Sequence, residues 1–294
     1  MSAFGYFGSK RRLAAKIQDR LPPHSAWVEL FCGSAAMTLA KDPAPIEVIN
    51  DINGDIVNFF RQLQKNAAKL KRLVYFTPYA RAEHELAKKQ EDELSDLERA
   101  HRFFVAAMMS INGAFGKDSG GFSFTNSYSR NGMEARVSRW NGMPDHIDWV
   151  AKRLKNVRIE QQDALKLFQK FRNRPGTLAY LDPPYLGKRS RSYDFDENTI
   201  DFHQRLLASV LKAKCMTLIS GYENEIYNSL LSSEHGWNKE VVKATTKGHN
   251  GKSFERLEVL WFNEPFQQAL ARKKMSLRLK KDESSNGKVN PERL

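Results

Sequence analysis

Apolar residues fall in two different rhythms along the 294-residue chain. Short apolar runs rich in β-branched and aromatic residues, at 27–31, 46–50, 157–160, 177–181 and 216–220, predict buried strands. Between them, apolar positions recur at three- and four-residue spacing over 10–20, 55–64, 164–171 and 202–213, which predicts amphipathic helices. Strands that alternate with helices in this way imply an α/β fold, a parallel sheet covered on both faces.

From residue 63 to 146 the rhythm changes. A charged helical stretch at 81–109 leads into a Gly-, Ser- and aromatic-rich segment at 110–143, and this break predicts an insertion between two parts of the sheet domain. Within it, turn residues flank the alternating Phe122 and Phe124 over 113–128, the pattern of a β-hairpin whose tip suits a groove. The expected organisation is 1–62 and 147–265 as the sheet domain, 63–146 as the insert, and 266–294 as a basic, flexible tail. A short helix over 270–279 is expected in that tail on contact with phosphates.

Composition narrows the function classes. Hydrophobic residues make up 41% and charged residues 28%, the balance of a folded globular chain and not of a disordered one. No apolar run approaches the roughly 20 residues that span a bilayer, and residues 1–10 lack the apolar core of a signal peptide. A cytoplasmic location of bacterial or phage type and no membrane partner are expected. Cys32 and Cys215 sit in apolar runs without metal-ligand spacing, so reduced core thiols and no metal are expected. The formal charge of +13 favours polyanions, nucleic acid first among them, although a solvated basic surface gives the same count. Nothing in the sequence fixes an oligomeric state; a monomer is the simplest expectation.

The sharpest local signal is Asp182-Pro183-Pro184-Tyr185, directly after the predicted strand at 177–181. Two prolines fix φ and stiffen the loop at the carboxyl edge of the sheet, where ligands of open α/β sheets bind. An adenine amine is a poor nucleophile, because its lone pair is delocalised into the ring. A rigid carboxylate at Asp182 and the Pro183 carbonyl offer acceptors for its two N–H bonds and aim that lone pair at an electrophile. Tyr185 then stacks on the ring, a contact worth about 1–3 kcal/mol per base. Taken alone the tetrapeptide reads equally as a proline-rich turn, and its place after a buried strand favours a site.

Two weaker signals precede it. Val28-Glu29-Leu30-Phe31-Cys32-Gly33-Ser34-Ala35-Ala36 runs from a strand through a small-residue turn into a helix, a shape that lets backbone approach a nucleotide-like ligand. Many tight turns share it. Asn50-Asp51-Ile52-Asn53 then ends the next strand with an acid, eighteen positions beyond Gly33, about where dinucleotide folds keep the acceptor for ribose hydroxyls. Asp51 reads equally as the cap of a helix that starts near Asn53 or Asp55.

In order, these motifs resemble the DNA adenine methylase (Dam-like) family, the alpha group of N6-adenine amino-methyltransferases whose cofactor motifs precede the catalytic one. The family's opening motif of an aromatic, glycines and a lysine is matched by Tyr6-Phe7-Gly8-Ser9-Lys10. Its Phe-x-Gly-x-Gly is matched by Phe31-Cys32-Gly33-Ser34-Ala35, with alanine at the second glycine. Asp51 and Ile52 match the acidic motif, Asp163-Ala164 the adenine-ring contact, and residues 182–185 the catalytic tetrapeptide. Tyr193, Phe195, His203 and Leu207 resemble the segment after it, and Leu218-Ile219-Ser220 the next strand, so the matches run from Tyr6 to Phe262.

The resemblance implies a seven-stranded, mostly parallel Rossmann-like methyltransferase sheet with a mainly helical target-recognition domain inserted at 63–146. It implies S-adenosylmethionine as methyl donor, held by Tyr6, Phe7, Gly8, Lys10, Glu29, Phe31, Gly33, Ser34, Asp51, Ile52, Asp163, Ala164 and Asp182. Neither a metal nor a covalent intermediate is needed. A duplex hides the adenine amine, so double-stranded DNA with the target base flipped out is also implied, at a cost of a few kcal/mol that phosphate contacts offset.

Candidate phosphate contacts are Lys188, Arg189 and Arg191 beside the catalytic loop and Lys117, Arg130, Arg136 and Arg139 in the insert, each of which also reads as a solvated charge. Methylation of RNA adenine or of the cytosine amine keeps the same fold, although those relatives carry asparagine or serine at the place of Asp182. A catalytically idle DNA-binding protein needs the basic surface and hairpin alone. Neither cysteine stands in a nucleophile setting, which argues against methylation of a cytosine carbon.

Members that read GATC carry Asn-Gly-x-x-Arg-Tyr-Asn in the hairpin, where the arginine reads a base. Here Asn112-Gly113-Ala114-Phe115-Gly116-Lys117-Asp118 keeps Asn112 and Gly113 but has glycine in the arginine's place. A bidentate arginine contributes about 1–3 kcal/mol of base discrimination. The methylated adenines are therefore expected in a context other than strict GATC. Sequencing plasmid DNA modified by the purified protein checks this, and exclusive GATC modification overturns it.

Overall fold

The computed structural model describes residues 2–5, 10–89, 93–113, 120–126, 132–186, 199–247 and 253–286. Seven strands form one sheet: β1 (Ala26–Glu29), β2 (Ile46–Asn50), β3 (Arg158–Glu160), β4 (Thr177–Leu181), β5 (Met216–Gly221), β6 (Trp237–Lys247) and β7 (Ser253–Asn263). Their order across the sheet is β3-β2-β1-β4-β5-β7-β6. The first five run parallel, whereas β7 is antiparallel to β5 and to β6. This is the α/β sheet expected from the apolar runs. The β6–β7 hairpin was not predicted: its edge strand mixes charged and apolar residues and leaves Val241 47% exposed, and in β7 the apolar run is confined to 259–262.

The helices in chain order are α1 (Arg11–Ile17), α2 (Ala36–Ala40), α3 (Gly54–Phe76), α4 (Arg81–Lys88), α5 (Asp96–Met109) and α6 (Ala135–Asn141). They continue with α7 (Met143–Leu154), α8 (Ala164–Phe171), α9 (Ile200–Val210), α10 (Glu225–Leu230) and α11 (Glu264–Asn286). Successive strand residues point to opposite faces. Trp27, Leu178, Tyr180 and Leu218 accordingly join the core with α1, α2 and α11, while Val28, Ala179, Leu181 and Ile219 join the one with α8, α9 and α10.

A third cluster links Leu39 and Ile49 to Phe59, Phe104, Trp140 and Val150 of the helices between β2 and β3. That helical layer shares a core with the sheet. Both boundaries expected for the insert, at 62/63 and 146/147, fall inside helices α3 and α7. The shift in charge there marks a solvated helix face, not a gap in packing. Of the hairpin predicted over 113–128, the described residues around Phe122 pair instead with the end of α5 ahead of it, in an isolated antiparallel bridge of Ser110 and Phe122: Ile111 N–H donates to the Gly121 carbonyl at 3.0 Å and Ser123 N–H to the Met109 carbonyl at 2.7 Å. Its tip, 114–119, lies outside the described residues.

The tail expected to be flexible from residue 266 is instead helical over Glu264–Asn286. Phe266 is buried and Ala269 and Leu270 pack beside it, at the three- and four-residue spacing of one helix face. Asn263 starts this helix, accepting from Phe266 N–H at 3.3 Å and Thr217 N–H at 2.9 Å. Lys273 Nζ then donates to the Asp19 and Leu21 carbonyls, each at 3.0 Å. The density of lysine and arginine hid this apolar stripe in the sequence. No helix among the described residues is long and apolar enough to cross a membrane.

A buried charge cluster fixes the back of the sheet. Glu47 on β2 accepts from Lys41 Nζ at 2.6 Å, from Arg153 Nη1 at 2.5 Å and from Ala44 N–H at 3.1 Å. Arg153 Nη2 also donates to the Thr38 carbonyl at 2.7 Å, which joins α7 to α2. Removing one member of such a cluster leaves uncompensated charge away from water. Glu47→Ala is expected to cost about 3–5 kcal/mol of stability, read as a lower urea midpoint at unchanged slope.

Candidate active site

Strands β3, β2, β1 and β4 are consecutive neighbours, so their carboxyl ends form a row with steps of about 4.8 Å, on the order of 14 Å in all. The chain leaves those ends at Asp163 after β3, Asp51 after β2, the turn at 30–35 after β1, and Asp182 after β4. Between β1 and β4 the strand order reverses, the place where open α/β sheets leave a crevice. A stretch of this length suits an elongated ligand such as a nucleoside with an amino-acid arm.

The β1 turn is built from backbone that needs small residues. Gly33 has φ +46° and Ala35 φ +51°, so the alanine at the second glycine place itself takes the left-handed conformation and keeps the turn's path. Gly33 N–H donates to Asp51 Oδ2 at 2.8 Å and Asn53 N–H to Asp51 Oδ1 at 3.0 Å. Burial raises the Asp51 pKa against the pull of those backbone bonds. Helix α3 is capped by Asn53, which accepts from Asp55 N–H at 2.9 Å, so Asp51 clamps the turn while its neighbour does the capping.

Asn50, which the sequence motif contained without suggesting a role, cross-links three strand ends. Its Nδ2 donates to the Leu30 carbonyl at 3.0 Å and the Gln162 carbonyl at 3.1 Å, and its Oδ1 accepts Gln162 N–H at 3.1 Å. Asp163 caps α8, accepting Lys166 N–H at 2.7 Å, beside buried Ala164. Ile52 is exposed, Ser34 is buried, and half-buried Phe31 meets Phe202 edge-on with centroids 6.2 Å apart.

Glu29 lies behind this row. Thr38 N–H donates to Glu29 Oε2 at 2.9 Å, the Thr38 hydroxyl donates to the same oxygen, and the Trp27 indole N–H donates to that hydroxyl at 2.7 Å. These bonds tie β1 to α2 and support the turn from inside.

Asp182 sits in a nest of donors. Ser220 Oγ on β5 donates to Asp182 Oδ1 at 2.9 Å, Tyr185 OH donates to it at 3.1 Å, and Lys10 Nζ lies 3.3 Å from it. Tyr180 OH is 2.7 Å from Ser220 Oγ, which fixes the serine rotamer. Lys10 Nζ also donates to Tyr185 OH, lies 4.6 Å from that ring's centroid, and stands 3.7 Å from Glu258 Oε1. Burial works against the Lys10 ammonium, but the charges of Asp182 and then Glu258 lift its pKa above the ordinary lysine value. Burial, followed by the Asp182 and Glu258 charges, pushes the Tyr185 hydroxyl well up, so it stays a donor.

Beside this cluster a recess opens between the ends of β4 and β5, lined by Pro183, Tyr185, Gly221, Tyr222 and Tyr227 among others. Tyr185 and Tyr222 meet edge-on with centroids 4.5 Å apart. A Cβ at Gly221 would lie 3.2 Å from Trp261 Cζ3 and 3.9 Å from Tyr185 Cε1, so glycine leaves the aromatic wall room. Tyr222 and Glu258 are the residues that sequence reading missed. The aromatic two places beyond the Ser220 strand end was a signal for the first; Glu258 had none, standing in an unrecognised strand.

Arg136 and Arg139 are exposed on α6, and Arg139 lies within electrostatic reach of Arg136 and Arg11. Tyr6, Phe7, Gly8, Lys117, Arg130, Lys188, Arg189, Arg191, Tyr193 and Phe195 lie outside the described residues, as does the side chain of Asn112. Cys32 and Cys215 are free and buried. Burial pushes the Cys32 thiol well up, with Asp51 and Glu29 adding to the rise, and burial raises Cys215 too, the opposite of what a thiolate nucleophile requires. Among the described residues no cluster of three or more His, Cys, Asp or Glu is placed to hold a metal ion.

The family model of the D12 class N6 adenine-specific DNA methyltransferases matches residues 6–246. The chain belongs to this family. The type II methyltransferase M1.LlaDCHI of Lactococcus lactis subsp. cremoris is 27% identical over 192 residues, 61% of this chain and 63% of that protein. The chain thus spans less than two thirds of that curated relative's length. Among solved structures, the precorrin-6y C5,15-methyltransferase of Geobacter metallireducens GS-15 aligns over 86% of each chain at 10% identity and a TM-score of 0.40. A SAM dependent methyltransferase from Agrobacterium tumefaciens aligns over 89% of this chain and 63% of its own at 10% identity and a TM-score of 0.39.

The acid behind the row sets a pH dependence. Burial pushes the Glu29 carboxyl up to about 7 against the bonds from Thr38 and Met37, and the Asp182 charge adds to the rise. A carboxyl whose pKa rises on folding contributes stability that is complete below its unfolded value of 4.5 and is lost as pH climbs through about 7. The difference amounts to about 3 kcal/mol. Glu29→Gln, a neutral isostere, is expected to flatten unfolding free energy between pH 5 and 8 relative to wild type, as measured by urea titrations across that range. An unchanged slope in the variant overturns the assignment.

Proposed function

We propose that the protein transfers a methyl group from S-adenosylmethionine to the N6 amine of adenine in double-stranded DNA. The observation that carries this reading is the order of groups along the strand ends. Asp163 suits the adenine end of the donor, Asp51 its ribose hydroxyls, the Gly33 turn its methionine arm, and Asp182 the acceptor amine. Lys10, Glu29, Phe31, Ser34, Ile52 and Ala164 complete the surroundings of that row. The residues present fit the donor, since a carboxylate at the end of β2 and a turn with left-handed backbone beside it are what a ribose and a close-lying chain require.

Bound S-adenosylmethionine supplies a sulfonium-activated methyl group. Asp182 and the Pro183 carbonyl accept the two N–H bonds of the amine and direct its lone pair along the row toward that methyl. Ser220, backed by Tyr180, holds the carboxylate's rotamer, so little reorganisation accompanies the reaction. Pro184 stiffens the loop, and Tyr185 with Tyr222 offers aromatic walls to a base turned out of its helix.

Arg136 and Arg139 suit phosphate contacts on the face of the helical layer, and the net charge of +13 favours encounter with the duplex. Lys117, Arg130, Lys188, Arg189 and Arg191 are proposed for the same task, and Asn112 for base reading. The test is incubation of the purified protein with labelled S-adenosylmethionine and duplex DNA. Label is expected in N6-methyladenine, and Asp182→Ala is expected to lower the transfer rate by about 10²–10³-fold while leaving DNA affinity intact. Equal turnover by that variant removes Asp182 from its role, and no label in any adenine-containing polynucleotide ends the reading.

A further inference from the structure

We propose that Glu258 is a positioning residue which takes over the Lys10 ammonium when a base enters the site; this rests on the function proposed above. Asp182 Oδ1 already faces Ser220 Oγ at 2.9 Å, Tyr185 OH at 3.1 Å and Lys10 Nζ at 3.3 Å. One carboxylate oxygen carries two lone pairs, so an arriving amine competes with donors in place. Ser220 is held by β5 and by Tyr180, which leaves Tyr185 and Lys10 as the groups that yield.

Lys10 is 8% exposed, and an ammonium that gives up its carboxylate there has little water to turn to. Glu258 solves this. Its Oε1 lies 3.7 Å from the same Nζ, and its side chain is 13% exposed. The strand that carries it is pinned beside β5 by the pairing of Leu260 with Ser220. A small rotation of the Lys10 side chain therefore exchanges Asp182 for Glu258 as the nearer counter-charge, and the departing ammonium also releases the Tyr185 hydroxyl that it contacts.

The experiment is a double-mutant cycle in single-turnover methyl transfer on duplex DNA, with dissociation constants for DNA and S-adenosylmethionine measured alongside. Glu258→Gln is expected to slow transfer about tenfold, in the range of coupling between contacting residues, with both dissociation constants unchanged. In a Lys10→Met background the same substitution is expected to change the rate by less than about twofold, because its effect runs through the ammonium. Glu258→Asp, which keeps the charge, is expected to recover most of the rate; Glu258→Ala, which removes it, replaces Glu258→Gln in the cycle should that variant fail to fold. Equal slowing in both backgrounds, or full speed in Glu258→Gln, overturns the proposal. A wild-type protein that transfers no methyl group at all would overturn the function reading instead.

Discussion

The Asp182 carboxylate is held by side chains from three separated stretches of the chain: Ser220 from β5, Tyr185 from its own loop, and Lys10 ahead of α1. Each partner exists because of a different structural constraint. Ser220 is delivered by the parallel pairing that sets Leu181 beside Ile219, Tyr185 by two prolines that stop the loop from folding back, and Lys10 by the packing of α1 under Trp27 and Tyr180. The carboxylate itself is fixed in this way, and adjustment to an arriving reactant falls on Lys10 and Tyr185 and not on Asp182.

Buried charge recurs across the fold, and it does two kinds of work. Around Glu47 one carboxylate faces two cations, Lys41 and Arg153, and the cluster locks β2 to α2 and α7. Around Lys10 the ratio is reversed: one ammonium faces two carboxylates, Asp182 and Glu258. Among these three groups the surplus is negative, which suits the company of a cationic donor. The thiols take no part, since burial keeps both protonated.

Most of the sheet was legible because parallel strands buried on both faces are mostly apolar, Glu47 and Asn50 of β2 being bonded exceptions; 46–50 and 177–181 are the same spans in sequence and structure. The Asp182–Tyr185 loop and the acid at Asp51 could be placed at strand ends for a related reason, since both follow such a strand immediately. Illegible were elements whose surfaces are wet. β6 and α11 carry so many lysines, arginines and glutamates that their apolar stripes fall below the background, and β7 shows an apolar run only at 259–262, past Glu258. Asn50 was hidden differently: its three bonds join residues far apart in sequence, and no local pattern encodes such a link.

The pairing of Lys10 with Glu258 brings together residues near opposite ends of the family-matching region and beyond it, and Lys273 on α11 reaches back to the carbonyls that follow α1. Contacts between such distant segments form late, after the loop between them has been closed. The second counter-charge for the buried lysine is supplied by β7, which follows β5 in the chain, so the charge cluster around Asp182 is complete only once that antiparallel strand has joined the sheet.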